Sequence, residues 1–355
     1  MVSRRIVYWL AACYAPLAPL RGRAQEPLSA LQASGSSIQA VQDPQERDAA
    51  LMLLEHARSV FNLRSSGQAY DLQARLRVNS GGQTRYDGEW NMEDVFDPRE
   101  GLRWTASLPG SYAITRIASH GMRYGEETDS YVPLRLHEAR AALFDPLPSQ
   151  RNLQRAAIRR APVTFNGQQL TCLLISNGAS ANPSRAWNET EACVDPESGL
   201  LRVQSQVPGR YYTYDYSNAF QFGGHPFPRN AAVYEAGRVV TRISVAALKE
   251  LPPADPALFE ASDAMKANGR QIALGPAEKI FRVSTVKAGA PVGTVCIFGL
   301  VTASGELVEA HPLQPSNPNA QAAMDAAKKL NFSRPAMGAP QQYFVFILER
   351  FVASP

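Results

Sequence analysis

Residues 70–92 read YDLQARLRVNSGGQTRYDGEWNM, and this stretch determines the type of fold. From Tyr70 to Val78 apolar side chains alternate with polar ones, and the alternation resumes from Tyr86 to Met92. The Ser-Gly-Gly sequence at 80–82 separates the two runs and is typical of a turn. A period of two with one apolar and one polar face predicts antiparallel strands that are buried on one side.

The same alternation recurs along the chain, interrupted by two helical patterns. Further strands are predicted at 102–108, 112–117, 122–124, 162–165, 170–175, 190–194, 200–206, 211–216, 231–235 and 238–245. Apolar residues at three- and four-residue spacing predict helices at 47–61 and 133–144, and the second helix ends before Asp145-Pro146 because proline cannot continue it. A helix, many antiparallel strands and an inserted helix predict an α+β fold based on an antiparallel half-barrel with helices packed on it.

Three segments of this region resemble the LolA/LolB family of periplasmic lipoprotein carriers. They are YDGEW at 86–90, LRW at 102–104 and VDPESGL at 194–200. The resemblance implies a curved sheet around an apolar hollow that could hold an acyl chain or another hydrophobic ligand.

An aromatic group could line such a hollow. Tyr212, Tyr214 and Tyr216 share one face of their strand, and Trp90 and Trp104 would complete the ligand wall. Cross-strand packing of the same aromatic side chains in a solid core is the other interpretation.

The C-terminal region changes to a different pattern. Residues 291–307, PVGTVCIFGLVTASGEL, predict a strand, a turn at Ser304-Gly305 and the start of a second strand. AQAAMDAAKKLNF at 320–332 predicts a helix, and QQYFVFILERF at 341–351 predicts a closing strand. The order is therefore ββαβ.

This ββαβ order resembles the C-terminal domain of the TonB energy-transducer family, over residues 276–355. The matching positions are Gly293, Val295, Gly305, Ala323, Ala326, Ala327, NFSRPA at 331–336, GAP at 338–340 and the strand at 345–351. The resemblance implies capture of an extended peptide from an outer-membrane transporter by strand addition. The N-terminal helix lacks the family's His and no long Pro-rich spacer follows it, so we do not expect energy transduction by this chain alone.

The resemblance implies that the closing strand is the partner-binding edge. Gln342, Phe344, Phe346 and Leu348 would then contact the partner. Dimerisation through the same strand is a competing use, because an apolar edge needs cover.

The N-terminal residues predict export. Residues 1–24 combine Arg4-Arg5, an apolar run and Gly22 and Ala24 before a cleavage ahead of Gln25, as in a signal peptide. This predicts a periplasmic protein. LAAC at 10–13 is an alternative lipobox that would anchor the protein through an acylated Cys13.

These patterns divide the chain into five parts. A signal peptide at 1–24 precedes a flexible lead-in at 25–45, the half-barrel domain at 46–260, a linker at 261–276 and the TonB-like domain at 277–355.

Export also bears on the cysteines. Cys172 and Cys193 lie in two predicted strands, and a loop of about 20 residues in an oxidising compartment favours a disulfide. Two buried thiols are the alternative.

No constellation of reactive residues predicts catalysis. The five histidines lack metal-ligand spacing, and neither a phosphate loop nor Gly-Xaa-Ser-Xaa-Gly occurs. We therefore predict no enzyme activity, cofactor or metal. The net charge of +4 is not clustered as nucleic-acid binding requires. The favoured function is a periplasmic protein that binds a partner protein, and a carrier of lipid or another hydrophobic ligand is the alternative.

Overall fold

The computed structural model describes residues 38–81, 84–144, 146–148, 150–178, 185–252, 255–268, 280–288, 292–332 and 342–352. The predicted signal peptide, the lipobox and most of the lead-in lie outside these residues.

Thirteen strands of the described chain form one open antiparallel sheet, the large sheet. Their order is β1-β7-β8-β9-β10-β11-β14-β15-β2-β3-β4-β5-β6. The strands are β1 Gln39–Ala40, β2 Tyr70–Val78, β3 Gly88–Asp97, β4 Gly101–Leu108, β5 Tyr112–Ser119, β6 Met122–Glu127, β7 Ala157–Phe165, β8 Gln168–Ser176, β9 Thr190–Val194, β10 Leu201–Val207, β11 Arg210–Asp215, β14 Asn230–Glu235 and β15 Arg238–Glu250. A separate hairpin contains β12 Phe220–Phe222 and β13 His225–Phe227. The predicted strands are confirmed, and β15 joins the two halves of the sheet by pairing with β2.

Five α-helices are present in the described residues. They are α1 Pro44–Phe61, α2 Leu134–Phe144, α3 Gln150–Arg155, α4 Asp263–Asn268 and α5 Ala320–Ala327. The Asp43 carboxylate caps α1 by accepting hydrogen bonds from the backbone N–H groups of Gln45 and Glu46 at 2.9 and 3.0 Å. Pro44 occupies the first turn, where its missing N–H costs nothing. Both predicted helices, α1 and α2, are therefore confirmed.

Helices α1 and α2 pack on the same face of the large sheet. The apolar stripe of α1, with Leu54, Ala57 and Phe61, joins one continuous core with the inward side chains of the strands. Every residue of α2 except Phe144 is buried. A surface helix has a polar face in water, so α2 must be covered by a second layer of protein.

That second layer is the small sheet, built from the C-terminal residues. Its strands are β16 Ile280–Ala288, β17 Gly293–Thr302, β18 Leu307–Pro312 and β19 Gln342–Val352, in the order β16-β19-β17-β18. The elements β17-β18-α5-β19 form the ββαβ unit that the sequence predicts, and β16 adds a parallel neighbour to β19. One face packs on α5, and the other packs on Leu134 of α2 and Val207 of β10.

Three parts of the sequence-based description change. Gln39 and Ala40 pair with β7, so the end of the predicted flexible lead-in belongs to the large sheet. The predicted linker begins with α4, whose buried Met265 packs on Ile117 of β5. The closing strand β19 is an inner strand with partners on both sides, which overturns its prediction as an edge.

Candidate functional site

The aromatic residues predicted to line a ligand hollow lie in a packed core. Trp90, Trp104, Tyr212 and Tyr214 are buried, and Tyr216 is partly buried beside them. The rings of Tyr214 and Phe61 of α1 are 5.0 Å apart between centroids. The two helices therefore occupy the side of the sheet on which a ligand would have to bind.

A buried ionic cluster fixes α2 between the two sheets. Arg135 donates to both carboxylate oxygens of Glu235, at 2.7 and 2.9 Å, and to Glu138 at 2.7 Å. Arg210 donates to Glu138 and lies 3.5 Å from Glu235. Burial tends to raise the pKa of Glu235, but Arg135 and Arg210 lower it to about 2. The cluster holds two positive and two negative side chains, so it is balanced.

A second group of charges fixes the other end of α2 to the large sheet. The Asp94 carboxylate accepts hydrogen bonds from Arg140 at 3.1 Å, Arg64 at 3.4 Å and the Tyr70 hydroxyl at 2.8 Å. The Arg140 guanidinium also lies 4.0 Å from the centroid of the Trp104 ring. Burial lowers the pKa of Arg140 to about 10 despite the neighbouring Asp94, so Arg140 remains charged at neutral pH.

The small sheet contacts α2 at its first turn. The Glu309 carboxylate of β18 accepts a hydrogen bond from the Leu134 backbone N–H at 2.9 Å. The Gln342 amide of β19 bonds both the N–H and the C=O of Val132, and its oxygen lies 3.0 Å from Nε2 of His137. Burial lowers the pKa of His137 to about 3, so this ring is neutral. The start of α2 is thus completed by side chains from the last fifty residues.

The two edge strands of the small sheet are β16 and β18, and no described strand pairs with the outer side of β18. Leu313 donates its N–H to the Cys296 carbonyl at 2.8 Å, and His311 lies opposite Phe298 in the register of β17 and β18. Bonded and non-bonded pairs alternate along an antiparallel ladder, so the N–H and C=O of Ala310 point away from β17. Pro312 ends the strand and has no N–H to offer, as is common on sheet edges.

A groove of about 340 Å³ runs beside this edge. Its floor is β18 from Leu307 to His311. Met324 of α5 and Lys328, which directly follows α5, form one wall. The opposite wall contains Thr84, Arg85 and Tyr86 from the segment between β2 and β3, and Tyr131 from the segment between β6 and α2. The groove therefore lies where a further strand of the small sheet would pair with β18. Its two walls would face the two sides of that strand.

Two ionisable side chains line the floor of the groove. Burial raises the pKa of Glu309 to about 7 and lowers that of His311 to about 4. No ion pair joins Glu309 to any described residue, and Nε2 of His311 is buried without a hydrogen-bond partner among them. At neutral pH the floor therefore offers a partly ionised carboxylate and a neutral imidazole.

A second depression, of about 460 Å³, lies on the large sheet where β2 to β5 carry exposed polar side chains. Gln73, Asn91 and Thr105 are among its lining residues. Its lining strands β2 to β5 all have neighbours on both sides, so this depression offers no free strand edge to a partner.

The predicted partner-binding residues are not on an edge. Gln342, Phe344, Phe346 and Leu348 belong to β19, whose backbone pairs with β16 and β17, and their side chains are buried. Neither strand addition nor dimerisation can use a strand that has neighbours on both sides. The sequence signal for the real edge was available in LVEAHP at 307–312, a short strand with two ionisable residues and a terminal proline.

Cys172 and Cys193 form a disulfide and lie opposite each other in β8 and β9. Among the described residues, Cys172, Cys193 and Glu191 are the side chains of potential metal ligands that lie close enough together to hold an ion. Because the two sulfurs are bonded to each other, this group is a covalent cross-link rather than an ion site.

Comparisons with known proteins give distant structural neighbours. No protein-family model and no curated protein matches the sequence. A DUF1329 family protein from Desulfovibrio piger shares 12% identity over 61% of this chain and 98% of its own, with a TM-score of 0.38. A LolA superfamily protein from Nitrosomonas europaea shares 11% identity over 60% of this chain and 97% of its own, with a TM-score of 0.36.

The Pseudomonas aeruginosa MucA/MucB complex also matches, with 10% identity over 73% of this chain, 82% of the matched chain and a TM-score of 0.26. At these scores the neighbours assign neither a family nor a function to this chain. None of the three is described as a TonB domain, so the TonB resemblance gains no support from them.

None of the helices in the described residues has the length and apolar character needed to cross a bilayer.

Proposed function

We propose that this protein is a non-catalytic periplasmic binding protein that captures an extended segment of a partner protein in the groove beside β18. The observation that carries the proposal is the open edge of β18 at the floor of a groove with two walls. Backbone hydrogen bonds to an edge strand supply affinity, and the walls select side chains.

The backbone of β18 can make these bonds without disturbing the small sheet. Ala310 points its N–H and C=O away from β17, so one bonded pair is available near the middle of the groove. Leu307 and Met324 add apolar surface, and Tyr86 and Tyr131 are aromatic residues with a polar end, a type enriched at interfaces. Strand addition would thus extend a sheet whose other members are already packed on both faces.

The experiment uses the full chain and a display library of short random peptides. Peptides selected on the wild-type protein are measured against Ala310→Pro and Ala310→Ser. The proline removes the outward N–H and leaves the bonds to β17, whereas the serine retains that N–H. We expect Ala310→Pro to weaken binding at least about tenfold, as expected for about 1.4 kcal/mol, and Ala310→Ser to bind as the wild type does.

Two readouts make the result decisive. Circular dichroism must show that both variants retain the native fold, and hydrogen exchange must show protection of the Ala310 amide on binding. A library that yields no binder, or binders equally tight on both folded variants, would reject the proposal.

A second candidate function is a carrier for lipid or another hydrophobic ligand. The observation that favours it is the broad open sheet whose apolar face is covered by helices, since displacing a helix would uncover that face. Against it, α2 is held by buried ion pairs at both ends and covered by the small sheet. Native mass spectrometry of protein purified from the periplasm would detect bound lipid, and lipid at full occupancy would favour the carrier.

A further inference from the structure

We infer that the segment captured by β18 presents a lysine or arginine side chain to Glu309 and His311, next to apolar side chains that face α5. This inference rests on the proposed strand addition and specifies the chemistry of the partner. The inference follows from the different residues that the two faces of the added strand would contact.

The two faces of β18 have different neighbours. Glu309 and His311 lie opposite Leu300 and Phe298, which pack toward the large sheet. Ala310 belongs instead to the cluster around α5. Directly opposed residues in neighbouring strands share a face. Alternate side chains of an added strand would therefore meet the carboxylate and imidazole on one face and α5 on the other.

On the face of β18 toward the large sheet, Glu309 and His311 have unused hydrogen-bonding capacity. Glu309 accepts one hydrogen bond, from Leu134, and has no cationic partner among the described side chains. Nε2 of His311 has no hydrogen-bond partner there either. Nε2 of a neutral imidazole accepts a hydrogen bond when the ring proton is on Nδ1. An ammonium has three donors and a guanidinium has five, so in that tautomer either group could bond the Glu309 carboxylate and His311 together.

The charges around Glu309 support a cation rather than an anion. The nearby Arg135 is already matched by Glu138 and Glu235, so the buried cluster has no positive charge left for Glu309. Arg85, on the opposite wall, lies 3.2 Å from Asp129. A basic side chain of the partner would balance the charge of Glu309. The Arg85 guanidinium already covers the face of Tyr86, at 4.7 Å from the ring centroid, so this ring offers the partner no further cation site.

The α5 face favours an apolar side chain. Met324 lines this wall, and a thioether adapts to apolar groups of different shape. Lys328 stands at the same wall and would repel a second basic residue. The preferred segment therefore alternates a basic residue with an apolar one.

Buried and exposed charges contribute unequally here. Lys328 is exposed, and exposed ion pairs contribute about 0–1 kcal/mol. Glu309 is half-buried and its carboxylate accepts a hydrogen bond from the Leu134 N–H, and hydrogen bonds to charged groups are stronger than those between neutral groups. For this reason we assign the selectivity to Glu309 rather than to the rim of the groove.

The test compares three fluorescent peptides with the same alternating valine and threonine sequence and one central residue, which is lysine, norleucine or glutamate. We expect the lysine peptide to bind the wild-type protein at least about tenfold more tightly than the norleucine peptide. In Glu309→Gln this preference should fall to about twofold or less. Glutamine retains an oxygen for the Leu134 N–H, so the start of α2 is preserved.

Glu306→Gln is the matched control, because it removes the same charge from an exposed position in the same hairpin. It should leave the lysine preference intact. Raising the pH through neutrality should strengthen the preference in the wild type and not in Glu309→Gln, since Glu309 ionises over that range beside Arg135, Glu138 and Arg85.

The outcomes separate this inference from the function on which it rests. If all three peptides bind equally and Ala310→Pro still prevents binding, strand addition stands and the basic-residue inference is wrong. A preference for the glutamate peptide, or a lysine preference that survives Glu309→Gln, also overturns it. If none of the peptides binds while library-selected peptides do, the proposed function stands and the alternating segment inferred here is rejected.

Discussion

Replacing Glu138 by glutamine should remove the charge balance on which the position of α2 depends. Glu138 is fully buried and bonds Arg135 at 2.7 Å as well as Arg210. The variant would leave two buried guanidinium groups with Glu235 as their remaining carboxylate. Removing one partner of a buried ion pair costs about 3–5 kcal/mol, because the other charge is left uncompensated.

The assay is urea unfolding followed by tryptophan fluorescence, since Trp90 and Trp104 are buried in the core next to α2. Glu55→Gln is the control on a helix of the same core. Its partner Arg58 is 3.0 Å away, but the Glu55 side chain is 48% exposed, so the cost should be less than about 1 kcal/mol.

A double variant tests whether charge balance is the cause. Glu138→Leu with Arg210→Met removes one charge of each sign and leaves Arg135 paired with Glu235. Apolar replacement of a whole buried pair is often neutral or stabilising, so the double variant should be more stable than Glu138→Gln. The reasoning fails if Glu138→Gln costs no more than Glu55→Gln, or if the double variant is the least stable of the three.

Phe61→Ala should cost about 3–5 kcal/mol of unfolding free energy, because Phe61 fills the space beside Tyr214, whereas Met52→Ala on the exposed side of α1 should cost less than about 0.5 kcal/mol; equal costs would contradict a filled core. Replacing Cys172 and Cys193 together by alanine should lower stability by about 3 kcal/mol, from the loop entropy of a sequence separation of 21 residues; an unchanged urea midpoint would contradict this. Glu309→Gln should gain stability relative to the wild type as the pH rises from about 5 to about 8, by roughly 2 kcal/mol. The sign follows because burial raises the pKa of Glu309 from 4.5 to about 7, so the folded wild type holds this proton more tightly than the unfolded chain and loses that stabilisation as the pH rises. A difference in unfolding free energy between the wild type and Glu309→Gln that does not change with pH would show that Glu309 is already ionised at low pH.

The individual strands and helices could be predicted because their periods are local. Tyr70 to Val78 and the stripe of α1 show a period of two and a period near 3.6, and both follow from which face is buried. The order of the strands has no such signal. β15 pairs with β2 although about 160 residues lie between them, which no short window records.

The error over β19 has an identifiable cause. Residues 343–348 are aromatic or aliphatic without alternation, and a continuous apolar run is typical of a strand buried on both faces inside a sheet. The family resemblance favoured an edge, and the composition favoured an inner strand. The composition predicts the structure correctly here. It also indicates β18 as the edge strand, because β18 carries the ionisable Glu309 and the terminal Pro312.

The buried charges of α2 could not be predicted from the sequence. LRLHEARAALF contains four ionisable side chains, which in isolation indicate a helix with one wet face. Arg135 and Arg140 instead find their partners Glu235 and Asp94 at sequence distances of 100 and 46 residues. A charged helix is therefore compatible with complete burial when the partners come from other elements.

The bonds that complete the first turn of α2 also constrain the order in which the chain can mature. They join Val132 and Leu134 to residues 210 and 175 positions later, near the end of the polypeptide. A chain emerging from its N-terminus has already made α2 and most of the large sheet before β17 to β19 exist. Contacts of such high sequence separation slow folding and leave apolar surface uncovered in the meantime. The face of α2 that the small sheet covers thus stays in contact with water until the last strands of the chain arrive.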